Sequence, residues 1–273
     1  MRYRVITILF VLAVFVVPPA RCDLQRQMRQ SYAGKLLSLR IPSNFDVLQY
    51  DASGQPARPG NGEPWTTCGL FKVKKISVSL GQMMIDGDRA AVILNPDPTK
   101  KLLLVILDRT LHVVIDLPPS VHSLSDMNGL LARIFVPGDL QTRMTAAWKA
   151  EVDLNRDLEA ISRTVPEGRV GTLAENRPVY VVNAVPTPPK AVYKPSPEYS
   201  RAAVLKKIGG TVRVRMVVNE SGYPEILEVL QHQREGLDSR ALAAVSQWRF
   251  KPALRESMPV AAMLIVDVKF SVR

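Results

Sequence analysis

The chain has 273 residues, 47% of them hydrophobic and 22% charged, with a formal net charge of +11. This balance excludes a disordered chain, and the length allows one or two domains with real cores. Aromatic residues at 6%, nowhere interleaved with runs of Lys and Arg, exclude a nucleic-acid platform. The positive excess is instead gathered at the far end, where residues 190–273 carry 14 basic and 8 acidic groups. An excess of that size speeds encounter with anionic partners without specifying one.

The first predicted element is a targeting segment. Arg2 and Arg4 precede an apolar run from Val5 to Val17, and Pro18-Pro19-Ala20 follow. A bilayer-spanning helix needs about 20 apolar residues. This run is shorter and is stopped by two prolines, so residues 1–22 read as a signal peptide or short anchor. Either reading places the rest in the periplasm or cell envelope. Cleavage after Ala20 leaves Cys22 and Cys68 free to pair in an oxidising compartment. Cleavage after Cys22 leaves Cys68 alone, as a small buried hydrophobe.

Residues 23–165 read as a strand-rich α+β domain. Leu24–Ser31 is a polar, frayed helix. Lys35–Arg40, Val47–Tyr50 and Leu70–Leu80 alternate as strands. Met83–Ile85 and Arg89–Leu94 flank Asp86-Gly87-Asp88, a hairpin signal. Lys101–Leu107 and Leu111–Leu117 flank Asp108-Arg109-Thr110 and predict a second hairpin. Ser123 or Ser125 caps a helix over Asp126–Phe135, with Met127, Leu130, Leu131 and Ile134 on one face. A further helix is predicted over Ala146–Ser162. Residues 166–198 contain seven prolines and no helical period, and read as a Pro-rich, semi-extended linker.

Residues 199–273 form the last predicted domain, built as helix, two antiparallel strands, helix and long final strand. Glu198–Ile208 is the first helix, ended by Gly209-Gly210. Thr211–Asn219 places Val212, Val214, Met216 and Val218 on one face, with Arg213 and Arg215 on the other. Glu220-Ser221-Gly222 turns the chain into Ile226–Leu230. Asp238 caps a helix over Ser239–Phe250, which Lys251-Pro252 stops. The final strand, Val260–Val272, alternates strictly. One face is apolar, and the other carries Ala261, Met263, Ile265, Asp267, Lys269 and Ser271. In this order of elements the final strand lies at a sheet edge, with backbone groups free to pair.

Four motifs fall in a recognisable order. They are Pro197-Glu198-Tyr199, then Gly210, Val212 and Val214 before Gly222, then Trp248-Arg249-Phe250-Lys251-Pro252-Ala253, then Pro259-Val260. This stretch resembles the C-terminal domain of TonB-type energy transducers. The resemblance makes Tyr199, Gly210, Gly222, Trp248, Phe250 and Pro252 the structural motif. It implies a domain that takes an extended peptide of an outer-membrane TonB-dependent transporter as an added strand. The partner-binding residues are then Ala261, Met263, Ile265, Asp267, Lys269 and Ser271, with Arg213 and Arg215. The implied function is an energy transducer or adaptor that supports transmembrane transport. The alternative is a periplasmic scaffold that uses the same edge to form a homodimer. One departure stands out. Transducers that harvest a proton gradient carry a full membrane helix with a His that engages inner-membrane motor proteins. The histidines here are His112, His122 and His232, all outside the apolar run.

Trp248 and Phe250 suit a core, with Arg249 as an exposed cation. Asp86 and Asp88 suit a turn, and His112 and His122 are too isolated for a metal. No catalytic or nucleotide-binding motif is present. The sequence therefore predicts no enzyme, no metal and no cofactor. An enzyme would need a pocket of converging polar groups within residues 32–165.

Overall fold

The computed structural model describes residues 19–60, 63–79, 81–94, 102–136, 153–154, 169–173 and 177–271. The apolar run Val5–Val17 lies outside them, as does most of the helix expected over 146–162. The described part of that helix, Asp153–Leu154, is strand.

The N-terminal half comprises α1 (Pro19–Tyr32), β1 (Leu36–Ser38), β2 (Val47–Tyr50), α2 (Trp65–Cys68), β3 (Leu70–Ser79), β4 (Gln82–Leu94), β5 (Leu102–Asp116) and α3 (Leu124–Ile134). Its five strands form one sheet in the order β1-β3-β4-β5-β2, with β2 parallel to β5 and the other neighbours antiparallel. The α3 helix forms as its sequence dictates. Ser123 and Asp126 make a reciprocal capping box, and Met127, Leu130, Leu131 and Ile134 are buried. The polar α1 helix is pinned, not frayed. It buries Leu24 and Met28, and Tyr32 donates to Asn128 Oδ1 at 2.7 Å.

Neither predicted hairpin exists. Both β4 and β5 run straight through the expected turns. Gly87 is not a turn residue. A Cβ there would lie 2.3 Å from the Lys72 carbonyl oxygen, so Gly allows close approach to β3. Its neighbours are held by side-chain partners, Asp86 by a hydrogen bond with His112 at 2.8 Å and Asp88 by an ion pair with Lys74 at 2.6 Å. Asp108-Arg109-Thr110 lies at a bulge, where pairing jumps from Asp88↔Thr110 to Ala90↔Ile106. The residue in the gap, Arg89, is fully buried and donates to the backbone carbonyls of Cys68, at 3.0 Å, and Phe45. Burial pushes its guanidinium pKa down to about 10.

The C-terminal half adds β6 (Asp153–Leu154), β7 (Arg169–Leu173), β8 (Arg177–Val181), a 3-10 turn at Val182–Ala184, β9 (Lys190–Tyr193), α4 (Arg201–Leu205), β10 (Gly210–Val218), β11 (Pro224–Gln231), α5 (Leu237–Val245), β12 (Arg249–Lys251), β13 (Ala253–Arg255) and β14 (Met258–Phe270). The main path of its sheet is β11-β10-β14-β8-β7-β6, with β13 also on β14, while β9 and β12 pair separately. Much of the proline-rich stretch 166–198 is therefore extended and paired. Proline tolerates extended backbone at edges and strand ends, so its presence does not exclude pairing.

The two halves share a core. Ala91, Ile93 and Leu107 of the first sheet pack in one cluster with Val212, Val214, Met216, Leu237, Ala241 and Val245. Thr67 Oγ1 donates to the Pro224 carbonyl at 3.0 Å, and Arg240 of α5 pairs with Asp108 at 2.6 Å.

Candidate functional site

The candidate site is the final strand, and β10 sets its position. The ladder runs without a break from Gly210↔Phe270 to Val218↔Ala262. The predicted alternation of β10 holds, with Val212, Val214, Met216 and Val218 all buried. At the turn that follows, Gly222 takes φ +82 and accepts from the Phe250 N–H at 3.0 Å. A Cβ there would lie 2.0 Å from the Phe250 carbonyl oxygen. Gly222 and the Trp-Arg-Phe segment are thus one device, since the turn can close only where the chain after α5 lies against it.

That contact corrects the predicted helix over Ser239–Phe250. The helix ends at Val245, and Arg249–Lys251 is strand. Its N-cap is Gly236, while Asp238 accepts from the Gln233 N–H at 2.7 Å and pairs with His232 at 2.6 Å. Trp248 is buried and donates its indole N–H to the Pro195 carbonyl at 3.2 Å. Arg249 is not a free cation. It lies over the Tyr223 ring at 4.2 Å, and burial lowers its pKa. The first helix also ends differently from expectation. Ser200 caps α4 through the Ala203 N–H at 3.0 Å, and Lys207, not a glycine, takes the left-handed conformation at φ +51. Tyr199 packs edge-on against Phe270, with ring centroids 5.3 Å apart.

The predicted binding residues separate into three sets. Ala261 and Met263 are buried, because β8 runs parallel beside them with Ala261↔Val179 and Met263↔Val181. Ile265, Asp267, Lys269 and Ser271 are exposed. Arg213 and Arg215 are committed to partners within the sheet. Arg213 grips Asp267 with two hydrogen bonds at 2.8 and 3.1 Å, holding the Asp267 carboxyl below its usual range. Arg215 pairs with Glu228 at 3.1 Å, and the two side chains are only 12% and 8% exposed.

From Leu264 to Phe270, β10 holds one side of β14, and among the described residues no strand pairs with the other. Alternate backbone N–H and C=O groups along this stretch point away from β10. Beside its end lies a groove of about 740 Å³, lined by Pro197, Tyr199, Val204, Lys207, Ile208 and Lys269 among others. Val204 is 58% exposed there, an apolar surface beside an open edge. None of the α4 residues is among the binding residues that the sequence predicts. Their signal is the apolar pair Val204-Leu205, which a helix this short leaves exposed.

A second hollow of about 560 Å³ lies between β5, α5 and residues 195–198. Its charged groups are already paired with one another, as Arg109 with Asp46 and Arg240 with both Asp108 and Glu198. It is an ion-paired seam between the halves, not a set of unpaired groups converging on a substrate. Among the described residues no cluster of His, Cys, Asp and Glu could hold a metal. Cys68 is a buried free thiol, its pKa pushed up by burial. No described helix is long and apolar enough to cross a membrane.

The C-terminal sheet is flanked by helices, and its last strand keeps part of one edge unpaired among the described residues. Residues 195–272 match the family described as Gram-negative bacterial TonB protein C-terminal, which is non-enzymatic. Protein tonB2 of Pseudomonas aeruginosa is 35% identical over 80 residues, covering 29% of this chain and 30% of that protein. Protein TonB of Vibrio cholerae is 28% identical over 103 residues, covering 35% of this chain and 42% of that protein. The solution NMR structure of the Pseudomonas aeruginosa TonB CTD is 26% identical, covering 31% of this chain and 89% of that one, with a TM-score of 0.26. The chain spans less than half the length of either TonB relative. It carries a TonB C-terminal domain at residues 195–272.

Proposed function

We propose that this chain is a cell-envelope adaptor that binds outer-membrane transporters by strand addition and so supports transport across the outer membrane. The observation that carries this reading is the open edge of β14 from Leu264 to Phe270, within a domain of the TonB C-terminal family. An extended segment of a transporter adds to that edge. Main-chain hydrogen bonds to the outward groups of β14 supply affinity, and side-chain alternation supplies selectivity. Guest side chains on one face meet Tyr199, Val204 and Ile208, which favours apolar residues there. Lys207 and Lys269 on the rim favour an acidic neighbour.

The test is calorimetric titration of the mature chain with peptides from the periplasm-facing segments of outer-membrane transporters. Micromolar binding is expected, weakened about tenfold, or about 1.4 kcal/mol, by Ile265→Asp. A folded chain that binds no such peptide sinks the proposal.

A further inference from the structure

Strand β8 occupies the stretch of the β14 edge just upstream of the part that the proposed function assigns to a guest. It pairs with Ala261, Ala262 and Met263, and Ala262 is also paired with Val218 of β10 on its other side. Just upstream, Met258–Val260 pairs with β13. The final strand is therefore already partnered by the chain itself as far as Met263.

The β8 strand is not loosely laid on. Val179 at its centre is fully buried. At its start, Arg177 reaches Glu220 at 2.7 Å and Glu225 at 3.0 Å. Beyond it, Arg255 lies over the Tyr180 ring at 4.9 Å, and Val185 is buried in a cluster with Ala253 and Ala262. Thr187 and Leu254 then exchange backbone hydrogen bonds at 2.9 and 3.4 Å. Anchors before, within and after the strand make it a fixed wall, not a lid. Directly after Val181 the chain turns away in a 3-10 helix, Val182–Ala184, and among the described residues no strand continues along the next stretch of β14.

We infer that β8 is a resident strand that closes the upstream end of the binding slot, so that a guest pairs with Leu264–Phe270 alone and ends against the Val182–Ala184 turn. The inference rests on the strand-addition reading and gives it a length and a register. At about 3.3 Å per residue the slot is roughly 20 Å long. It takes an extended segment of about seven residues, and further guest residues find no edge to pair with.

The test uses the mature chain and a nested series of transporter-derived peptides of 5, 7, 9 and 12 residues, read by calorimetry and by hydrogen exchange with mass spectrometry. Affinity rises up to about seven residues and then changes less than about twofold. Guest binding slows exchange in 264–270 and leaves 177–181 and 261–263 as slow as in the free chain. Arg177→Gln, which loosens an anchor of β8 without entering the slot, leaves guest affinity within about twofold. If the longest peptides keep gaining affinity while 177–181 begins to exchange, or if Arg177→Gln tightens binding, β8 is a displaceable strap and the inference is overturned while strand addition stands. If no peptide slows 264–270, strand addition fails and the inference fails with it.

Discussion

The two halves of the last strand share one sequence pattern and have different surroundings. From Met258 to Met263 the strand is enclosed by β13, β8 and, from Ala262, β10. From Leu264 to Phe270 it has β10 on one side alone among the described residues. Alternation of apolar and polar side chains reports which face of a sheet is buried. It carries no information about which edge is paired, because the edge is made of backbone groups common to all residues. Two stretches of one strand can therefore look alike in sequence and differ in what they can bind.

The largest expected effects come from the enclosed side. Val179→Asp puts a carboxylate at a fully buried position against the closed half, and costs about 3 kcal/mol or more of folding free energy. Ile265→Asp puts the same group on the open half, at a residue 42% exposed, and costs less than about 1 kcal/mol. Urea unfolding followed by far-ultraviolet circular dichroism measures both. Equal losses would erase the distinction between the halves. Trp248→Ala acts on both at once, since the indole packs under the shared core and holds Pro195. Its cost is about 3–5 kcal/mol by the same assay.

What could be read from the sequence follows from the same argument. The faces of β10, the apolar stripe of α3 and the turn at Gly222 were legible, because each depends on local side-chain spacing or on the lack of a Cβ. The ends of helices were less so. Ala241, Val245 and Trp248 continue a helical spacing, yet the helix stops at Val245 because the Phe250 N–H is bonded to Gly222. Asp86-Gly87-Asp88 has a hairpin composition, but its glycine serves the close approach of β3. Most hidden was β8. The seven prolines of residues 166–198 suggest a semi-extended linker, and only the folded structure shows that Arg177–Val181 pairs beside β14. In the site, Ile265, Asp267, Lys269 and Ser271 were readable as an outward face. The groove from α4, and the burial of Ala261 and Met263, were not.

A smaller effect separates two arginines that are neighbours on one face of β10. Arg215 and Glu228 form a nearly buried pair, so Arg215→Ala strands a carboxylate away from water and costs about 3 kcal/mol. Arg213 forms its pair with Asp267 in solvent, and exposed pairs contribute little. Arg213→Ala is expected to leave the unfolding midpoint unchanged within error. A reversal of the two results would mean that Arg213–Asp267, and not Arg215–Glu228, is the pair shielded from water.

The smallest effect is confined to the open half and is seen by titration. The Asp267 carboxyl is held below its ordinary value of 3.8, first by its hydrogen bond from Arg213 and further by the charges of Arg213 and Lys269. A carboxylate with a depressed folded pKa contributes stability that is fully present above its unfolded value, and loses it as pH falls through the folded one. The Arg213–Asp267 grip is therefore intact from neutral pH down to about 4 and releases below that. Carbon-13 detected titration of the Asp267 carboxyl checks this. In Arg213→Ala the midpoint should rise toward the ordinary value, while guest affinity between pH 5 and pH 8 stays flat. An Asp267 midpoint that does not rise in Arg213→Ala would mean that something other than Arg213 holds this carboxylate.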